Sequence, residues 1–349
     1  MLRENIFRNR IPTMMTMMTM TIRSRAVSLV LLSLIVVVSV PAPAFAAPSV
    51  TSTINVGDFP ISVAFTPDGK TAYVANNGTE TVSVIDVKTG TVQSAPISVG
   101  AGPVSMALSP NGKTAYVPCP GNDEGGRTVS VIKVKTGTPG TPITVGNGAK
   151  AVAFSPNGKT AYVTNALDDT VSVITVKTGT VQGAPINVGD RPVSVAFTPD
   201  GKTAYVINKD DYTVSVIDVK TGTVQGAPIS VGRSPRAVAF SPNGKTAYVT
   251  NALADTISVI TVKTGTVQGA PINVGDFPIS VAFTPDGKTA YVVNQGDVSV
   301  SAINVKTGTV RGAPINVGDF PTSVAFSPNV KTAYVTNAGD DTVSVITTR

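Results

Sequence analysis

The chain of 349 residues carries 27 Lys and Arg against 21 Asp and Glu, one Cys, no His and no Trp. Without histidine there is no imidazole for a Ser–His or Cys–His nucleophile, nor for His-ligated zinc, copper or haem. One thiol excludes an intrachain disulfide framework and Cys-rich metal sites, while the length allows a few small domains or one large all-β domain and is ample for a sizeable core.

Residues 1–46 read as a secretory signal. Arg23 and Arg25 precede the apolar run Ala26 to Val40, and a small-x-small site follows at Ala44 and Ala46. The run is short for a transmembrane span, which needs about 20 residues. Without this segment the chain keeps 22 basic and 20 acidic residues, a net charge of about +2. Such a balance does not indicate a globally basic nucleic-acid binder.

The remainder, residues 47–349, is a tandem array. Ile-x-Val-Gly recurs at Ile54, Ile97, Ile143, Ile186, Ile229, Ile272 and Ile315, at spacings of 43 residues except one of 46. Periods near 40–45 made of short β segments point to propeller blades. In the first unit strand A is expected at Ile61–Thr66, B at Thr71–Ala75, C at Thr81–Val87 and D at Ala95–Val99. Phe or Leu recurs in strand A and Tyr in strand B, which reads as core between stacked blades. The last unit ends after strand C, whereas the array begins with a lone strand at Val50–Val56. Joining the two closes a ring and removes free edges. The expected fold is therefore all-β: a seven-bladed β-propeller of four-stranded antiparallel blades, closed by an N-terminal strand that completes the last blade.

Tyr162-Val-Thr-Asn165, Tyr248-Val-Thr-Asn251 and Tyr334-Val-Thr-Asn337 resemble the signature of the YVTN-family β-propeller repeat. Tyr73-Val-Ala-Asn76, Tyr205-Val-Ile-Asn208 and Tyr291-Val-Val-Asn294 are close variants, and the second unit departs with Cys119 in place of Asn. The resemblance implies a surface-layer-type or secreted propeller. Related seven-bladed propellers include lactonases and a periplasmic DNA-binding protein.

Antiparallel strands place the A–B and C–D turns on one side of the disc and the B–C and D–A turns on the other. The first side repeats Pro-Asp/Asn-Gly-Lys and Lys-Thr-Gly, with thirteen lysines against Asp68, Asp200 and Asp286, about +10. This face is suited to an anionic polymer or lipid. The second side varies between units and carries fifteen acidic against six basic residues, about −9.

A scaffold position is filled alike in every blade, whereas a binding site breaks the symmetry. The spare aromatics Phe59, Phe277, Phe320 and Tyr212 all fall on the variable side, three of them in Gly-Asp-Phe-Pro with Asp58, Asp276 and Asp319. Units three to five instead present Lys150, Asp190, Arg191, Arg233 and Arg236 near that level. Together these twelve residues form the candidate binding face, an acidic-aromatic sector facing a basic one, suited to a polar chain or protein loop. The B–C turn of the second unit, Cys119 to Arg127, is three residues longer than the others and is a further candidate loop.

The acid pairs Asp168-Asp169, Asp210-Asp211 and Asp340-Asp341 lack the alternating spacing of a calcium loop, and no phosphate-binding glycine motif occurs. No cofactor or metal is expected. The sequence is read as an exported, monomeric, non-enzymatic binding scaffold whose partner is a protein or envelope polymer. Lactonase-like hydrolysis is the alternative. Single-stranded DNA binding comes third, because the lysines and the spare aromatics fall on opposite sides.

Overall fold

The computed structural model describes residues 48–349, except Asn122, Glu124, Val330, Lys331 and Arg349, and except the side chain of Ser94. The expected signal segment lies outside the described residues. Seven antiparallel sheets follow one another in sequence, forming a seven-bladed propeller. No helix among the described residues is long and apolar enough to cross a membrane.

Blade 1 shows the pattern. Strand A is Pro60–Phe65, B is Thr71–Asn76, C is Thr81–Asp86 and D is Thr91–Ser98. Strands B and C pair from Thr71 opposite Asp86 to Asn76 opposite Thr81. The A strands are innermost, each packed on the A strands of neighbouring blades. In blades 3 to 6 strand D is interrupted, as between Thr180–Val181 and Ile186–Asn187. In these blades Gly183, Gly226, Gly269 and Gly312 take left-handed φ just before the Ala-Pro pair, which turns the chain out of the ladder; blade 2 is interrupted as well, between Thr138–Pro139 and Ile143–Thr144. Blade 1 has Ser94 where blades 3 to 6 have glycine, and its strand D runs on. In blade 2 strand A shrinks to Ala107–Leu108, because Pro118 occupies the facing position of strand B and donates nothing there.

The ring closes non-covalently. Ser49–Asn55 pairs antiparallel with Thr342–Thr347, Ile54 opposite Val343 and Asn55 opposite Thr342, to give blade 7 its fourth strand. The resulting seam is built like the others: Ile54, Tyr334, Val343 and Val345 pack with Val63, Ala72, Val74 and Ile85 of blade 1. At six seams a strand B tyrosine meets a strand A phenylalanine, from Phe65–Tyr334 at 4.8 Å to Tyr291–Phe326 at 4.9 Å. Leu108 takes the phenylalanine's place beside Tyr73. Each ring pair adds about 0.5–1.5 kcal/mol beyond its area burial. Burial pushes the tyrosine hydroxyls up, that of Tyr291 to about 12.

Polar repeats fix the turns. Asn165 donates from Nδ2 to Thr170 Oγ1 and Ser172 Oγ, both at 2.9 Å, and accepts from the Gly146 amide at 3.1 Å. A Cβ on Gly146 would lie 2.6 Å from Asn165 Cγ, so the glycine of Ile-x-Val-Gly and the asparagine one strand away require each other. In blade 2 Cys119 stands in this place, and Ser130 Oγ accepts from the Gly100 amide at 2.9 Å instead. Cys119 is buried, and burial raises its thiol above the ordinary range. It is an inert packing group rather than a partner for an intermolecular disulfide.

Candidate functional site

The variable side is organised as rings around the axis, each blade supplying one residue per ring. The D–A loops form the rim. Phe59, Gly102, Gly148, Arg191, Ser234, Phe277 and Phe320 occupy equivalent positions, all left-handed with φ between 49° and 68°. Glycine adopts this conformation freely, whereas a phenylalanine there is an outlier that its surroundings must hold.

Carboxylates do that holding, three of them from B–C turns and, for Phe320, that of Asp319 beside it at 2.9 Å. The Phe59 amide donates to Asp341 Oδ1 at 2.8 Å, Arg191 to Asp169 Oδ1 at 2.8 Å and Phe277 to Asp255 Oδ1 at 2.9 Å, each across a seam between blades. Asp168, Asp211, Asp297 and Asp340 act within a blade, accepting from the amides of Asn147, Asp190, Asp276 and Asp319 at 2.7–2.8 Å. The carboxylates therefore staple loops through backbone amides. Among the described residues no group of three or more His, Cys, Asp or Glu could hold a metal ion.

Two residues beyond the rim, the throat is lined by Ile61, Lys150, Val193, Arg236, Ile279 and Thr322 from the A strands and by Val104 at the equivalent position of blade 2. The first residue of the B–C turn adds Asn77 and Gln295 to the wall. Their amides are anchored by the Pro103 carbonyl at 2.8 Å and the Pro321 carbonyl at 3.3 Å. These rings enclose an axial funnel of about 560 Å³ to which all seven blades contribute, a volume within the range of small-molecule sites. A larger crevice of about 690 Å³ lies between blades 1 and 2 on the opposite side. It has a counterpart of about 490 Å³ between blades 4 and 5, so it is a feature of the repeat seam and not a unique site.

The funnel is divided by chemistry. Blades 6, 7 and 1 present Phe277, Phe320 and Phe59, with Phe59 and Phe320 in contact at 5.8 Å between centroids. Across the axis stand Lys150, Arg191, Lys209 and Arg236, with Asp210 between Arg191 and Lys209 at 3.9 Å from each. Arg236 lies over the Phe277 ring, 5.4 Å from its centroid, and its Nε is buried without a hydrogen-bond partner. Burial, then the charge of Arg191, depresses the Arg236 guanidinium. Burial, then Arg236 and Arg191, holds the Lys209 ammonium below its usual range. On the rim the neighbouring Asp211 and Asp169 raise the Asp190 carboxyl.

Of the twelve residues expected at a binding face, Phe59, Lys150, Arg236, Phe277 and Phe320 line the funnel, with Arg191 on the rim beside it. Asp58, Asp190, Arg233, Asp276 and Asp319 sit one residue before the rim position, exposed. Tyr212 ends a B–C turn, 38% exposed, outside the lining. The aromatic sector is therefore apolar inside, its acids having turned outward. Sequence reasoning missed Ile61, Asn77, Ile279, Gln295 and Thr322. Superposing the seven units shows the throat position as the second residue after the rim, the signal that would have found three of them.

On the opposite face the twelve described lysines of the turns are all exposed; Lys331 is not among the described residues. Asp86 and Asp218 also belong to this face, since each accepts from a C–D turn amide, that of Thr89 or Thr221, at 2.9 Å. Lys133 and Arg311 stand at the same edge and offset them.

These features define a seven-bladed propeller with one asymmetric axial funnel. Residues 57–225 and 194–349 match the family described as "Lactonase, 7-bladed beta-propeller", and the chain belongs to that family. Among solved structures it is similar to Kuenenia stuttgartiensis hydrazine synthase. The TM-score is 0.74 at 25% identity, over 83% of this chain and 96% of that one. No curated protein is detectably similar.

Proposed function

We propose that the axial funnel binds a small lactone and opens its ring by hydrolysis. Family membership supports this reading over an inert scaffold, and one observation carries it. Lys150 and Arg236, with Lys209 and Arg191 behind them, form a cationic arc, and Asp210 stands 3.9 Å from both Arg191 and Lys209. Water adding to a lactone carbonyl puts negative charge on the carbonyl oxygen. Preformed cations in a partly desolvated site stabilise that charge more than they stabilise the neutral lactone.

The nucleophile is water: its new C–O bond to the carbonyl carbon forms, the ring C–O bond breaks, and the proton the water gives up passes to the departing alkoxide. The product is a hydroxy acid whose carboxylate meets the same cations.

A second reading, a non-enzymatic binding scaffold, is favoured by the lack of any carboxylate among the described lining residues and of histidine in the sequence. In either case we read the protein as exported, on the strength of the signal-like sequence of residues 1–46. Incubation with a panel of lactones, following acid release, separates the two. Turnover that Lys150→Met and Arg236→Ala both reduce supports hydrolysis. Calorimetric binding of hydroxy acids without turnover of any lactone supports the scaffold and overturns the hydrolase.

A further inference from the structure

The aromatic half of the funnel has no part in opening a lactone, yet it is built at a cost. Phe59 and Phe320 are 41% and 43% exposed, and each holds a left-handed backbone that Gly102 and Gly148 occupy without strain in blades 2 and 3. Nothing in the fold requires a large ring at this position. Below them the apolar surface continues through Ile61 and Ile279. Between these, the Thr322 hydroxyl is engaged by the Pro60 carbonyl at 2.9 Å and Thr336 Oγ1 at 2.7 Å, so it offers a ligand no unmet polar group. The wall of blades 6, 7 and 1 thus carries an apolar stripe through Phe59, Phe320, Ile61 and Ile279, with the Asn77 and Gln295 amides beside it; it faces Lys150 across the axis and meets Arg236 where that side chain lies over Phe277.

We infer that the ligand is an amphiphilic lactone, one carrying an alkyl or aryl substituent that lies against Phe59 and Phe320 while its carbonyl faces Lys150 and Arg236. This rests on the reading of the funnel as a lactone site and names the substrate class. A polyhydroxylated sugar lactone would place hydroxyls against the Phe59, Phe320, Ile61 and Ile279 side chains, which cannot hydrogen-bond them, with the Asn77 and Gln295 amides as the polar exceptions. A hydrocarbon substituent instead removes two exposed aromatic surfaces from water, at up to about fourfold in affinity per methylene buried.

The test uses γ-lactones with unbranched alkyl substituents from methyl to octyl, assayed for kcat/KM. The matching lactams, which are not hydrolysed, are titrated by calorimetry. Both series are expected to strengthen with chain length, and the slope is expected to flatten in the Phe59→Gly/Phe320→Gly variant. Glycine already fills this left-handed position elsewhere in the ring, so the variant keeps its fold, checked by its melting temperature. Rates and affinities independent of chain length, or an unchanged slope in the variant, overturn the inference. Lactams that bind with the gradient while no lactone is turned over uphold the apolar wall and remove the hydrolase reading. Turnover without a gradient does the reverse, and failure of every homologue to bind removes both.

Discussion

The Asp341 carboxylate accepts a hydrogen bond from the Phe59 amide at 2.8 Å, although 282 residues separate the two. The bond spans the one seam that no peptide link crosses, and it fixes a rim phenylalanine. Asp341→Ala is expected to lower stability by about 1 kcal/mol, the low end for a charged acceptor because the site is exposed. Asp341→Asn keeps an acceptor oxygen and should recover most of it. Asp255→Ala removes the equivalent bond to Phe277 where the chain is continuous, and should cost no more. Urea denaturation of the three variants checks this; a larger loss for Asp255→Ala would show that the seams are not ranked by covalent continuity.

Closure depends on Ile54 more than on any hydrogen bond. It is 6% exposed and packs with Tyr334 of its own blade and, across the seam, with Ile85 of blade 1. Ile54→Ala should cost about 2–4 kcal/mol, as for other buried large-to-small changes. Removal of residues 48–55 should do more, because it bares the Thr342–Thr347 edge to other chains. Light scattering on heating should show the truncated chain associating well below the melting point of the intact one. An unchanged melting profile would mean that the N-terminal strand contributes no stability.

The architecture was readable because each unit repeats the same alternation of apolar residues and turn signals, and because the missing strand D at one end matched the surplus strand at the other. Strand bounds differ by a residue or so at most places, but strand D starts earlier in blade 1, and splits where Gly183 and its equivalents take positive φ. The basic and aromatic arcs of the funnel were also visible, as departures from the repeat. What the sequence hid was side-chain purpose. Asp168 and Asp169 look alike in the chain, yet one bonds the loop entering its own blade and the other the loop entering the next. Asn77 and Gln295 carry no signature, since their role comes from carbonyls of neighbouring blades.

Acid should weaken the fold through its A–B turns. The hydroxyls of Thr66, Thr198 and Thr284, and then the amides of Lys70, Lys202 and Lys288, hold the Asp68, Asp200 and Asp286 carboxyls below the ordinary 3.8. A carboxyl depressed in the folded state contributes stability above its unfolded pKa and loses it as pH falls through the folded one. The melting temperature should therefore drop as pH passes below about 4. The triple change of these residues to Asn should make that drop shallower, and it should fold, because Asn111, Asn157 and Asn243 make the same turn in other blades. An equal drop in the variant would place the acid sensitivity elsewhere.

The lysine face should bind anionic membranes by charge alone. Its turn lysines are exposed, with Lys202 and Lys288 keeping 82% and 79% of their side-chain surface, and a ring of equivalent positions on a disc matches a plane better than a linear groove. The acids among them, Asp68, Asp86, Asp200, Asp218 and Asp286, are all engaged in capping turns, so they dilute the positive field without organising it. No Phe or Tyr lies in these turns, which excludes aromatic anchoring at the membrane interface. Binding should follow the surface potential and fade within a Debye length, about 10 Å at 0.1 M salt. Vesicles with roughly 30% phosphatidylglycerol should sediment the protein at low salt and release it by at least about tenfold near 0.5 M NaCl, while neutral vesicles leave it in solution. Charge reversal at Lys159, Lys202 and Lys245 should weaken capture, whereas Lys150→Glu in the funnel should not. Binding that persists at high salt, or that follows Lys150 instead, would place the membrane contact on the variable face.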